Sequence, residues 1–207
     1  MVAAREEFLA AGHFEPIAGA VADAAPGGDC AVELGAGTGH YLARLLDAAP
    51  DRIGLALDVS RPALRRAARA HVRISAVRCD VWRELPLRDG CADVVLDVFA
   101  PRNGPEIARV LSPGGTVVVV TPTPRHLSEL RPFGAISVDE RKEERLEATL
   151  APLTRHDRRE LTFELSLGAR EALLLLRMGP SAHHAHTAIL PARGLTVTVS
   201  VYVDSWG

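Results

Sequence analysis

The stretch Val32-Glu33-Leu34-Gly35-Ala36-Gly37-Thr38-Gly39-His40 decides how the rest of the chain is read. An apolar run that starts at Cys30 ends in it, three glycines follow at alternate positions, and a helical pattern opens behind them. Glycine permits the sharp strand-to-helix turn and lets the backbone approach a ligand closely, while the helix N-terminus favours an anion. Dinucleotide-binding and methionine-nucleoside-binding folds both use such a turn. The dinucleotide fingerprint GxGxxG needs glycine at position 40, where this chain carries His40. Glu33, just ahead of the loop, would face a pyrophosphate unfavourably, whereas it suits the cationic amino end of a methionine moiety. The segment therefore predicts a site for S-adenosylmethionine (SAM), with Gly35, Gly37, Thr38 and Gly39 forming the turn.

Working outward, short apolar runs alternate with helical patterns, the mark of βαβ units and a parallel sheet. Strands are predicted at Cys30–Leu34, Ile53–Asp58, Ile74–Asp80, Asp93–Phe99 and Thr116–Thr121. The unbroken run Val117 to Val120 suits a strand buried on both faces. Helices are predicted at Tyr41–Ala49, after Ser60 with Pro62 in the first turn, and at Glu106–Leu111. Ser112-Pro113-Gly114-Gly115 is a stop-and-turn signal. Acidic residues end the second and third strands. Asp58, followed by Val59, lies about twenty residues past the glycines, where a carboxylate accepts hydrogen bonds from ribose hydroxyls. Asp80, followed by Val81, is placed to accept from an adenine amino group. Three acidic strand ends in register around one glycine turn make a cofactor site the reading.

Upstream, Arg5–Ala11 and Phe14–Ala24 read as helices separated by Gly12-His13. Downstream, Asp139–Leu150 is a charged helix, Arg159–Leu167 alternates like a strand, Arg170–Met178 is helical, and Leu195–Val203 alternates as a closing strand antiparallel beside the fifth. The expectation is an α/β, class I SAM-methyltransferase Rossmann-like fold: a mainly parallel seven-stranded sheet with an antiparallel closing strand. Residues 1–207 are expected to form a single methyltransferase domain, with 1–28 as a helical entry segment and 168–194 as an insertion near the acceptor site.

Composition narrows the class. A 47% hydrophobic and 24% charged chain of 207 residues is ordinary for a soluble globular domain. No apolar run approaches the roughly 18–20 residues of a membrane span, and no signal peptide opens the chain. A cytoplasmic protein without membrane association is expected. Cys30, Cys79 and Cys91 are widely spaced and read as buried small hydrophobes, so neither a disulfide framework nor a metal site is expected. The net charge of −2 does not advertise nucleic-acid binding. Arg61, Arg65, Arg66 and Arg69 do lie along one helix, with Arg73 just beyond. That row is either a solvated face or a stripe of phosphate contacts.

Several longer motifs resemble one family. Arg5-Glu6-Glu7-Phe8-Leu9-Ala10-Ala11-Gly12-His13-Phe14, Leu57-Asp58-Val59-Ser60, Phe99-Ala100-Pro101, Leu111-Ser112-Pro113-Gly114-Gly115 and Thr121-Pro122-Thr123-Pro124-Arg125-His126-Leu127 resemble segments of the 23S rRNA (guanine-N1)-methyltransferases. Asp80-Val81-Trp82, Phe99-Ala100-Pro101-Arg102-Asn103 and Met178-Gly179-Pro180-Ser181 resemble the branch that protects actinomycetes from tylosin-type macrolides. The resemblance runs essentially from end to end. It implies methylation of guanine N1 in a 23S rRNA hairpin loop lining the peptide exit tunnel, with S-adenosyl-L-homocysteine as the other product. It also implies that Phe14 and His126 contact SAM along with Gly37 and Thr38. Read on their own residues, without the resemblance, Phe14 is a core aromatic and His126 a helix-capping or surface residue. Family members carry an N-terminal four-ligand zinc module that helps grip the RNA. The present chain is expected to lack it, beginning about where the module ends. Where the family tends to carry bulky aromatics, Ser181-Ala182-His183-His184-Ala185-His186 has histidines, expected as an exposed loop.

On the acceptor side, guanine N1 holds a proton at neutral pH, so a general base is one requirement. Asp97 on the fourth strand is the candidate, or else it caps a neighbouring loop. A paired Watson–Crick edge is out of reach in a duplex, so the target base must be looped or flipped out. Trp82, Phe99 and Phe14 are candidates to stack on it, and Asn103, beside Pro101, is a candidate to hydrogen-bond its edge. Two other readings stay open on sequence alone: a small-molecule methyltransferase of antibiotic biosynthesis, and an inactive SAM-binding partner protein.

Overall fold

Alternating valine-rich runs and amphipathic segments fold as that pattern requires. The computed structural model describes residues 1–135, 141–179 and 194–207. Helices α1 (Val2–Ala10) and α2 (Glu15–Ala24) lead into β1 (Cys30–Leu34), α3 (His40–Ala48), β2 (Ile53–Asp58), α4 (Arg61–Ala70) and β3 (Ile74–Arg78). Then come β4 (Ala92–Val98), α5 (Gly104–Val110), β5 (Leu111–Pro122), α6 (Lys142–Thr149), β6 (Arg155–Leu167), α7 (Ala169–Met178) and β7 (Leu195–Trp206). The strands form one seven-stranded sheet in the order β3-β2-β1-β4-β5-β7-β6. The pairs β1·β2, β1·β4, β2·β3 and β4·β5 are parallel. Gly207, at the end of β7, lies beside Gly115, near the start of β5, so β7 runs against β5. Thr154 and Gly207 exchange both backbone hydrogen bonds, the mark of an antiparallel pair at the start of β6. The expected mixed sheet is the one observed.

Helix α1 begins at Val2, three residues before the expected Arg5, and β3 ends at Arg78, two residues before the expected Asp80; three further boundaries differ for a local reason. Strand β5 starts at Leu111, which pairs with Ala92, and the next pair is Thr116 with Val94. Ser112 to Gly115 therefore loop out of a continuing strand, with Gly114 at φ +78°, and do not precede it as a separate turn. Strand β6 begins at Arg155, four residues early, because Arg158 is neutralised there by Asp204 through two hydrogen bonds of 2.7 and 2.9 Å. Strand β7 runs on to Trp206, whose ring lies 5.5 Å from the Arg155 guanidinium carbon. The segment expected to hold His183, His184 and His186, and the first residues of the helix expected from Asp139, lie outside the described residues.

The described chain divides into two compact units. The larger comprises Pro16–Thr121, Arg141–Arg159 and Val203–Gly207. Its interior joins both layers: Val32 and Leu34 of β1, Val95 of β4, Val117 and Val119 of β5, Ile107 and Val110 of α5, and Leu146 of α6, all essentially solvent-free. The three cysteines sit partly buried at the margin of that core, packed as small hydrophobes. The smaller unit comprises Met1–Glu15, Pro122–Glu140 and Glu160–Tyr202. Within it α1 packs on α7, fastened by Arg170 to Glu7 at 2.5 Å, and the His13 ring donates to Glu171 at 3.1 Å.

Arg73 turns out to be a fold residue. Its guanidinium donates to the carbonyls of Leu46 (2.5 Å), Ala49 (2.6 Å) and Arg52 (2.5 Å), fastening the end of α3 and the turn into β2 at the end of the helix that favours a cation. Arg73→Ala is expected to lower unfolding free energy by about 2–3 kcal/mol, the scale for charged hydrogen bonds in a partly buried place. Denaturant unfolding checks this; a loss under about 0.5 kcal/mol, the range of a plain surface change, would mean that water replaces the guanidinium freely.

Candidate cofactor and acceptor site

The order of strands reverses between β1 and β4, which opens a crevice at the carboxyl ends of the parallel strands. The glycine turn sits in that crevice. Gly35, Gly37 and Gly39 have φ of +60°, +56° and +78°, a backbone that L-residues adopt only at a cost. The turn is tied down on three sides. Ala36 donates its N–H to the Leu57 carbonyl (3.0 Å), Gly39 to the Ala36 carbonyl (2.9 Å), and a Cβ on Gly39 would meet the Ala67 backbone at 3.0 Å.

Asp58 organises this arrangement. Its Oδ2 accepts the Gly37 N–H at 2.8 Å and its Oδ1 accepts the Ser60 N–H at 2.7 Å. One carboxylate thus joins the glycine turn to the start of α4, where Ser60 caps the helix by accepting from Ala63. An ionised carboxylate has roughly four acceptor positions. With two given to the backbone, the rest suit a pair of hydroxyl donors held in a fixed orientation.

Glu33 is buried, 2% exposed, and its Oε2 accepts the Leu42 N–H at 3.2 Å in the first turn of α3. It therefore fixes the helix that the turn enters, a role not visible in its position before the glycines. Thr38 is buried in the turn. Asp80 stands just past β3 and accepts the Trp82 N–H at 3.1 Å, with Arg83 3.5 Å away. Val59 and Trp82 are 62% and 66% exposed, large apolar groups just beyond the ends of β2 and β3 that offer a surface to a flat ring. Val81, by contrast, packs in the core with Leu57 and Leu85, so only its main chain is available to a ligand.

On the acceptor side, β4 ends in Asp97-Val98 and the chain turns at Phe99, which holds φ +55°. Positive φ at a bulky residue is strained and concentrates at functional places. Phe99 donates its N–H to Val120, and the Asn103 amide donates to the Arg83 carbonyl at 3.2 Å, pinning the far end of the segment. Pro101 is exposed between them. A Cβ on Gly35 would come within 2.8 Å of the Ala100 Cβ, so this segment rests directly on the glycine turn. Asp97 is fully buried and lies 3.0 Å from the Arg102 guanidinium. That pairing fixes Arg102, a residue the sequence reading passed over because the pair closes across the strained turn.

Two of the expected cofactor contacts belong to the smaller unit. Phe14 is 2% exposed and packs edge-on against Phe8 at 5.2 Å, a core aromatic of that unit. The His126 Nδ1 accepts the Ser200 N–H at 3.2 Å, which puts the ring proton of the neutral form on Nε2. The Thr123 hydroxyl donates to Ser200 Oγ at 2.7 Å beneath it. A role in cofactor binding for these two rests on the resemblance alone.

The fold and the glycine crevice define a methyltransferase, and residues 31–115 match the model of a methyltransferase domain. The chain is 48% identical, over 228 aligned positions, to a protein of Micromonospora griseorubida named as a 23S rRNA (guanine-N1)-methyltransferase, covering 99% of this chain and 76% of that one. It is 49% identical over 194 positions to the 23S rRNA (guanine-748-N1)-methyltransferase of Streptomyces fradiae, covering 89% and 69%. Among solved structures it resembles the YcgJ protein of Bacillus subtilis, with a TM-score of 0.61 over 91% of this chain and 96% of that one. At 14% identity that likeness speaks for the fold only. This chain belongs to the 23S rRNA (guanine-N1)-methyltransferase family.

Proposed function

We propose that this protein transfers a methyl group from SAM to N1 of a guanine in a hairpin loop of 23S rRNA. The observation that carries the reading is identity near one half, extending over almost the whole chain, with two relatives bearing that activity in their names. The residues fit the cofactor: the Asp58 acceptors suit a ribose diol, Val59 suits an adenine face, and Asp80 suits its amino group. When bound, SAM supplies an electrophilic methyl carbon whose leaving group is already in place. The protein's part is to hold the acceptor nitrogen in line with it, which can account for most of the acceleration.

In this reading Phe99 and Trp82 stack on the extruded base, and Asn103 and Pro101 shape its berth. The reaction takes place in the cytoplasm, where ribosomes are assembled, and the modified loop confers macrolide resistance. Among the described residues no helix is long and apolar enough to cross a membrane. Primer extension across unmodified large-subunit rRNA incubated with the chain and SAM tests the reading. A methyl on N1 blocks the pairing edge, so a SAM-dependent stop in the tunnel hairpin is expected. Full-length extension with SAM present, while the chain binds SAM in calorimetry, would leave two readings: a catalytic domain that needs the zinc module to reach rRNA, or an enzyme for a different acceptor.

A further inference from the structure

We propose that Arg102 is the group that recognises the guanine and eases loss of its N1 proton to water, by placing guanidinium N–H donors on guanine O6, with Asp97 as the residue that positions it. The inference rests on the guanine reading above. Asp97 occupies a defined place in the sheet, pairing in register with Leu34 on one side and Val119 on the other. It is therefore level with the residue that precedes the glycine turn, and it has no exposed surface. The Arg102 guanidinium returns to within 3.0 Å of its Oδ1 and is itself only 13% exposed. The Arg102 Nε is buried without a hydrogen-bond partner among the described residues. A buried guanidinium N–H left unsatisfied is costly, and a ligand acceptor is one means of satisfying it.

The surroundings agree with that role. The segment that carries Arg102 leans on the glycine turn through Ala100 and Gly35. The neighbouring strand ends carry the carboxylates Glu33 in β1, committed to Leu42, Asp58 at the end of β2, committed to Gly37 and Ser60, and Asp80 just past β3, beside Arg83, while the cation Arg78 that ends β3 donates to the Val59 carbonyl. Arg102 is the cation paired with the fourth strand, 3.0 Å from Asp97, and its forked donors match the O6 and N7 edge by which arginine reads guanine.

The chemistry balances without a further reactant. N1 gives its proton to water, the resulting charge spreads onto O6, and Arg102 stabilises it there as a preorganised donor. The N1 electron pair forms the new bond to the methyl carbon while the carbon–sulfur bond breaks and its pair stays on sulfur. Adenine, which has no O6 and no N1 proton, gains nothing from such a group, so the same residue sets base choice.

The test compares full-length wild type with the neutral pair Asp97→Asn/Arg102→Gln and with Arg102→Lys, on a synthetic rRNA hairpin. The double change removes both charges together, so no buried carboxylate is left alone. SAM affinity by calorimetry is expected to stay within about twofold. The rate of N1-methylguanosine formation at pH 7 is expected to fall about 10²–10³-fold in the double variant, the scale of losing an oxyanion donor. The deficit is expected to shrink as pH rises, because hydroxide then removes the proton that Arg102 no longer loosens, while Arg102→Lys recovers part of the rate. A double variant with the wild-type rate and pH profile would overturn the proposal and leave a purely structural ion pair. A wild-type chain that forms no N1-methylguanosine on the hairpin would overturn both this and the guanine reading.

Discussion

Asp58→Ala is expected to weaken binding of SAM, or of its demethylated product, by about a hundredfold, with calorimetry as the measurement. Two losses combine. The carboxylate no longer accepts from the ribose hydroxyls, and charge-assisted hydrogen bonds contribute about 1.5–3 kcal/mol each, so one alone exceeds tenfold. The Gly37 and Ser60 N–H groups also lose the acceptor that fixes the turn before the ligand arrives. Asp58→Asn separates the two. An amide has one acceptor oxygen and one donor nitrogen, so whichever way it turns, a donor meets either the Gly37 or the Ser60 N–H. The isosteric change is therefore expected to be nearly as damaging as alanine. If Asn binds like wild type while Ala does not, charge at Asp58 is irrelevant and shape alone carries the effect. If both bind normally, Asp58 is not in the cofactor site.

The glycine turn and the strands around it could be read from residues alone because their signals are local. Three glycines at alternate positions mark a strand-to-helix turn, His40 in place of a fourth glycine separates it from the dinucleotide fingerprint, and the run Val117 to Val120 suits a strand buried on both faces. What escaped reading depends on contacts distant in sequence or on backbone angles that carry no residue signature. Positive φ at Phe99 has no glycine to announce it, and without that turn nothing brings Arg102 back to Asp97. Ser112-Pro113-Gly114-Gly115 looks the same whether it precedes a strand or bulges from one; only the pairing of Leu111 with Ala92 decides. The charged start of β6 hid its strand character until Asp204 supplied the partner for Arg158. Position alone makes Glu33 a candidate site residue, whereas its hydrogen bond to the Leu42 N–H, which fixes the start of α3, is visible only in the structure.

The contact between Gly35 and Ala100 makes the cofactor turn and the acceptor segment a single mechanical element, and substitution there should disturb both. Gly35→Ala is expected to reduce kcat/KM on the rRNA hairpin by about a hundredfold or more. The new Cβ must occupy a left-handed position, at a cost of about 1–2 kcal/mol. It also meets the Ala100 Cβ at 2.8 Å, closer than carbon atoms pack, so one of the two segments must move. Ala100 follows the strained Phe99 and precedes Arg102, so a shift there misplaces the groups proposed to hold the base. A displacement near 1 Å suffices for about a hundredfold loss of rate. Pairing the change with Ala100→Gly removes the clash but keeps the left-handed strain. The double variant is expected to recover all but about tenfold, since roughly 1.4 kcal/mol of strain corresponds to one factor of ten. Measuring kcat/KM together with affinity for the demethylated cofactor in both variants decides the matter. A double variant as slow as the single one would show that the backbone angle of Gly35 alone matters, and that the two halves of the site are not coupled through this contact.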